Sequence, residues 1–166
     1  MKQFNRRLYK SFSDFISDIR TVMSQREDIH NLMRGLDPAF RERLFLAVTQ
    51  VNGCRYCSYY HAQQALLNGV SEEEIRDLSD GLLDDCPQDE LMALCYAQHW
   101  AETDAHPNEK ARVRLLETYG EETVAQMELA LRMIRIGNLT GNLLDYIIFR
   151  LSFGLIDVNR QLKRSL

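Results

Sequence analysis

Residues 37–75 read DPAFRERLFLAVTQVNGCRYCSYYHAQQALLNGVSEEEI, and the fold class follows from this stretch. Asp37-Pro38 is a helix start: the aspartate side chain accepts from free backbone N–H groups, and proline fits the first turn, where no N–H is needed. Leu44, Phe45, Val48 and Val51 then recur at three- and four-residue spacing up to Asn52-Gly53. A second helix is expected over roughly residues 53–68, with Asn52 as its cap and Gly69 as its stop. Ser71 and Glu74 make a capping-box pair for a third helix, with Val70 and Ile75 spaced as a hydrophobic staple.

The same periodicity extends outward in both directions, and strand alternation is nearly absent. Leu8, Phe12, Ile16, Ile19 and Met23 form one apolar stripe, so the amino-terminal stretch reads as an amphipathic first helix. A short polar interval separates it from Asp37. Further helices are expected over residues 87–102, 108–119 and 121–135. A last periodic region opens near Asn138 and carries Leu143, Leu144, Ile147 and Ile148, with Gly137 and Gly141 marking a break, a close packing contact, or both. No repeat or linker divides the chain. The expectation is a single all-α domain over residues 1–166, a compact multi-helix bundle with its redox core at about 38–78.

Composition narrows the function classes. The chain has 166 residues, enough for one buried core. A net charge of −4 and the lack of a dense Lys/Arg run argue against a nucleic-acid partner. The basic ends, Arg6, Arg7 and Lys10 on one side and Arg160, Lys163 and Arg164 on the other, read as solvated termini. No apolar run reaches membrane-spanning length, so no membrane partner is expected. A domain of this size does not need disulfide stapling. Its four cysteines therefore suit a reducing, cytoplasmic setting in which a close pair is used reversibly.

That pair is Cys54 and Cys57, followed by His61: a Cys-x-x-Cys-x-x-x-His unit whose three side chains share one helix face. Free N–H groups at a helix start favour a thiolate, and a dithiol beside a base can run thiol–disulfide chemistry. Cys54 lies nearer the helix start, whereas Cys57 has the imidazole of His61 one turn later. On that ground Cys57 is expected to attack and Cys54 to resolve. If the first two helices pack antiparallel, Glu42 lies level with His61 and can orient it. Taken alone, Glu42 within Arg41-Glu42-Arg43 reads as a surface ion-pair residue. Zinc is the competing use of the site, with Cys95, His99 or a carboxylate completing a set with Cys54, Cys57 and His61. Cys95 and His99 lack a compact paired-cysteine pattern, so no metal is expected and the pair reads as structural. No motif for haem, flavin or nicotinamide is present, and a two-cysteine cycle runs without a cofactor.

At these residues the chain resembles the alkylhydroperoxidase D-like branch of the carboxymuconolactone decarboxylase superfamily. The resemblance is carried by Glu42, Cys54, Cys57 and His61 over residues 38–78, and more weakly by LMALCYAQHWAET at 91–103. It implies an all-helical, homo-oligomeric protein that reduces a hydroperoxide substrate. In that reading Cys57 is the peroxide-reactive sulfur, Cys54 the resolving one, and Glu42 and His61 assist deprotonation. An external dithiol, such as a lipoyl or thioredoxin-like protein, would regenerate the pair. The branch has a histidine immediately before its second cysteine; Tyr56 stands here, and a phenol is not an equivalent base near neutral pH. Decarboxylation would leave the paired thiols without a role. The alternative outside peroxidase chemistry is a redox-sensing or metal-binding oligomer without turnover.

Overall fold

A computed structural model describes residues 3–153 and 155–156. Among them are seven α-helices and no strand: α1 (Phe12–Ser24), α2 (Arg26–Gly35), α3 (Pro38–Asn52), α4 (Arg55–Leu67), α5 (Glu72–Asp80), α6 (Leu91–Glu102) and α7 (Glu109–Leu151). The basic cluster at Arg160, Lys163 and Arg164 lies outside the described residues. No helix among them is long and apolar enough to cross a membrane.

The centre of the bundle is α3, which packs against α4, α5, α6 and α7. Residues 40–49 are all buried, as expected of a helix surrounded by others. Asp37 caps it by accepting from the Phe40 N–H at 3.0 Å. It ends at Gly53, whose φ of 74° lies in the left-handed region that glycine enters without strain. The turn from α3 to α4 is therefore very short, which forces the two helices to lie side by side and antiparallel.

Several boundaries differ from the sequence expectation. Residues 3–10 are not helical; α1 begins at Phe12, with Ser11 as its cap. The polar interval before Asp37 contains α2, which buries Leu32 and packs Ile29 against the core. Residues 87–90 form a turn, and α6 starts at Leu91. Ser71 caps α5 by accepting from the Glu74 N–H at 3.2 Å, but the Glu74 carboxylate turns to Arg43 instead of completing the box. The break expected between residues 119 and 121 is present, since Gly120 at φ 77°, ψ 164° is non-helical and kinks α7 there, whereas the segments expected over 121–135 and from Asn138 run on as one helix. Neither Gly137 nor Gly141 interrupts it.

The carboxy-terminal half of α7 turns the expected faces around. Asn138, Asn142 and Asp145, spaced four and three apart, are fully buried against the α3–α4 turn. Leu143, Leu144 and Ile147 point outward. The inward row is tolerated because it is hydrogen-bonded, as buried polar groups must be. Asn52 donates to Asn138 at 3.1 Å, Asn138 donates to the Thr49 hydroxyl at 3.0 Å, and Asn142 donates to the carbonyls of Asn52 and Arg7 at 2.7 and 2.8 Å.

Candidate active site

The four residues singled out in the sequence form two contacting pairs, Cys54 with Cys57 at the α3–α4 corner and Glu42 with His61 farther along the two helices. Cys54, not Asn52, is the N-cap of α4; Asn52 is the last residue of α3 and serves the polar row on α7 instead. The Cys54 sulfur accepts from the Cys57 N–H at 3.4 Å, the geometry of a capping side chain. Its own position is buried, whereas Cys57 is half-buried. The two sulfurs are 2.8 Å apart, so a disulfide of about 2.05 Å can close with little movement.

The two thiols are electrostatically unlike. Hydrogen bonding from the Cys57 thiol lowers Cys54 to about 7; burial opposes this, and the N–H groups of Cys57 and Tyr56 and the charge of Arg6 assist it. Cys57 is pushed up, first because its proton is committed to the Cys54 sulfur and then by burial. Deprotonation of the pair is thus favoured at Cys54, with the remaining proton on Cys57. Asn138 also reaches the Cys57 sulfur and favours its ionised form.

Packing of α3 on α4 brings the Glu42 carboxylate to 2.7 Å from His61 Nδ1. Glu42 is buried, unlike the surface residue that its flanking arginines suggest, and its bond to Nδ1 fixes the orientation of the His61 ring. The ring is wedged between Phe45 and Tyr60, with centroids at 4.9 and 5.0 Å. His61 follows Cys57 by one turn. Tyr60 thus touches His61 edge-on while remaining exposed, as Tyr59 does.

A cavity of about 30 Å³ opens between α3, α4 and α5, lined by Thr49, Gln50, Cys54, Ser58 and Ser79 among others, which is room for a water-sized molecule. Tyr56, where the resembled branch has histidine, is held by its hydroxyl, which donates to Asp145 at 2.8 Å and accepts from Arg55 at 2.8 Å.

The residues considered for zinc do not assemble. Among the described residues no three His, Cys, Asp or Glu side chains are grouped to hold a metal ion. Cys95 is exposed on α6, and His99 Nε2 accepts from the Asn108 N–H at 3.0 Å, tying α6 to the start of α7. Cys86 is buried and pushed up to about 12, first by burial and then by the charge of Glu74, which leaves it a neutral and unreactive thiol.

Residues 20–94 match the family model described as "Carboxymuconolactone decarboxylase family". The match spans less than half of the chain, so what it shows is a likeness to that family over this segment. No curated protein and no solved structure matches the chain. The matched segment contains Glu42, Cys54, Cys57 and His61. The α7 row and the residues before α1 lie beyond it. Reading along the sequence, Asn138, Asn142 and Asp145 were missed as site-forming residues. Their signal was a polar stripe at helical spacing in an otherwise apolar helix.

Proposed function

We propose that the protein reduces hydroperoxides through a reversible Cys54–Cys57 disulfide, in the manner of the alkylhydroperoxidase D-like branch. The observation that carries this reading is a sulfur pair 2.8 Å apart on a helix start, with His61, bonded to Glu42 of α3, one turn along the same helix.

The unlike proton affinities give each sulfur a task. Cys57 holds its proton the more tightly, so it needs a base before it can attack; the imidazole of His61, oriented by Glu42, is that base. The Cys57 thiolate attacks the distal peroxide oxygen, the O–O bond breaks, and the departing alkoxide takes up a proton to give an alcohol. Cys57 is now a sulfenic acid. Cys54 gives up its proton and attacks the Cys57 sulfur, the S–OH bond breaks, hydroxide leaves as water on taking up that proton, and the disulfide closes. Two electrons have passed from the thiols to the peroxide. An external dithiol of the lipoyl or thioredoxin type restores the pair. A reducing cytoplasm suits this cycle, and a homo-oligomer is the form in which we expect the protein to work.

Purified, reduced protein is mixed with hydroperoxides and a regenerating dithiol. Wild type is expected to turn over repeatedly. Cys57→Ser should abolish turnover, and Cys54→Ser should accumulate sulfenic or over-oxidised Cys57, visible as added mass. Glu42→Gln and His61→Ala should each slow the peroxide reaction by about 10²-fold in a folded protein. Retained turnover in Cys57→Ser would transfer the attacking role to Cys54. A reversible disulfide without peroxide consumption would leave a redox sensor.

A further inference from the structure

The peroxide cycle gives Tyr56 no task, yet its side chain is held more firmly than a surface tyrosine needs to be. It lies in the first turn of α4, two residues after the Cys54 cap. Its hydroxyl donates to Asp145 at 2.8 Å and accepts from Arg55 at 2.8 Å, and the same Arg55 nitrogen reaches Asp145 at 2.7 Å. Asp145 is fully buried on α7, so the phenol is anchored in the protein and not in solvent. The Arg55 guanidinium also lies over the ring, 4.8 Å from its centroid. Hydroxyl and ring face are thus both fixed, and the side chain bridges α4 to α7.

The Cys54 sulfur lies beside this bridge. A Cβ on Gly141 of α7 would stand 3.0 Å from that sulfur and 3.6 Å from Cδ2 of the Tyr56 ring, so sulfur and ring edge crowd the same point of α7. Cys54 is 1% exposed, although Gly53 and Arg55 on either side of it are not buried. Tyr56 itself is 36% exposed, so one side of its ring meets solvent. Deprotonation of the pair is favoured at Cys54, and the thiolate is the reactive form of cysteine. An open Cys54 would compete with Cys57 for oxidant, and the order of attack and resolution would be lost.

We propose that Tyr56 is a shield over Cys54: its ring, pinned between Asp145 and Arg55, closes that side of the pair, so that peroxide and reductant reach the pair only at Cys57. This rests on the reading of Cys54 and Cys57 as a cycling pair. In the oxidised protein a thiolate of the external dithiol then attacks the Cys57 sulfur. A bond forms between reductant and Cys57, the Cys54–Cys57 bond breaks, and its electron pair goes to Cys54 as thiolate. The second reductant thiol loses its proton, attacks its partner sulfur in the mixed disulfide and expels Cys57, which takes up that proton. The reductant leaves as a disulfide. Exchange of this kind goes to whichever sulfur is accessible, which is how a ring placed over one of them fixes the direction of the cycle.

The test measures access in the reduced protein, without peroxide. Full-length Cys57→Ser, alone and combined with Tyr56→Ala or Tyr56→Phe, is treated with iodoacetamide, and labelling of each cysteine is followed by peptide mass. Repeating the labelling across pH gives the titration of Cys54 and hence a rate per thiolate, which a change in proton affinity alone does not move. Tyr56→Ala should raise that rate about tenfold, and Tyr56→Phe, which keeps the ring but loses its pin to Asp145, about threefold. Cys95, exposed on α6, should label alike in all three proteins, and buried Cys86 should stay unlabelled. An unchanged Cys54 rate per thiolate in Tyr56→Ala would overturn the proposal, as would a Cys54 that labels as fast as Cys95 with Tyr56 in place. If Tyr56→Ala exposes Cys86, Tyr56→Phe decides alone, and a Cys54 rate there equal to that of Cys57→Ser would overturn it. In a second arm, wild type and Tyr56→Ala are oxidised with diamide, opened with glutathione and quenched in acid. The mixed disulfide should map to Cys57 in wild type and to both cysteines in Tyr56→Ala; a wild-type adduct on Cys54 would overturn the proposal. Failure of wild type to consume peroxide would sink the peroxidase reading alone, because neither arm uses peroxide.

Discussion

A methyl group at position 141 would stand 3.0 Å from the Cys54 sulfur and 3.6 Å from the Tyr56 ring, closer to the sulfur than ordinary packing allows. At position 137, one turn earlier on the same helix, a methyl group would meet nothing within 4 Å, and the site is exposed. Alanine is favoured over glycine within a helix by about 0.8–1.0 kcal/mol. The two substitutions should therefore part company. Gly137→Ala is expected to stabilise the protein by roughly 0.5–1 kcal/mol. Gly141→Ala should lose that gain to crowding, end about 1 kcal/mol below wild type, and slow disulfide closure. Denaturant titration of both variants, with the oxidation rate of the dithiol, checks this; equal stabilisation by both would show that the Cys54 sulfur has room to yield. Cys54, Cys57, His61 and Glu42 were legible from spacing because a helix repeats every 3.6 residues and a short turn aligns its neighbours. The close packing read at Gly141 is present, but its partner Cys54 was not legible, nor were the contacts of Asp145 with Arg6 and Arg55, because these residues lie far away along the chain.

Among the elements, α3 carries the lesson about burial. Its caps were readable: Asp37 at one end and Gly53 at the other behave as local chemistry dictates. The fate of Arg41-Glu42-Arg43 was not readable, since three consecutive charges signal solvent until other helices enclose them. Glu42 is turned to His61 on α4. On the other side of α3, Arg43 holds Glu74 of α5 and, at 3.1 Å, Glu90 at the start of α6. One guanidinium does not fully offset two carboxylates in a sheltered place. Burial pushes Glu90 up to about 7, with the pull of Arg43 only partly countering it and the charges of Asp89 and Glu74 adding to the rise. Its proton is held more tightly folded than unfolded, so its contribution to stability is full below the ordinary glutamate value of about 4.3. It is lost as pH rises through about 7. Across that window the denaturation midpoint of wild type should fall relative to that of Glu90→Gln, in which the side chain cannot ionise. Parallel curves for the two proteins would mean that Arg43 keeps Glu90 ionised throughout.

At the scale of the molecule, the outward face of α7 is the surface that a single protomer does not account for. Leu143, Leu144 and Ile147 are each about half exposed, and Leu151 is 76% exposed. Their three- and four-residue spacing lines them along one side, opposite the buried Asn138–Asn142–Asp145 row. A contiguous apolar stripe of this kind is what an interface between chains covers, and a second copy of the same helix offers a matching stripe. The homo-oligomer we expect should thus depend on this face. Leu144→Glu combined with Ile147→Glu places charge in its centre, where a docked partner would have to desolvate it. Light scattering is expected to show a smaller particle than wild type, with unchanged helical circular dichroism because neither side chain belongs to the protomer core. The dissociated variant should still reduce peroxide. Cys54 pairs with Cys57 and Glu42 with His61 within one chain, and the substituted positions lie on the opposite side of α7 from its buried Asn138–Asn142–Asp145 row. A wild type that is already monomeric would remove this use of the stripe. A variant that dissociates and loses turnover while keeping its helicity would mean that a neighbouring copy completes the site.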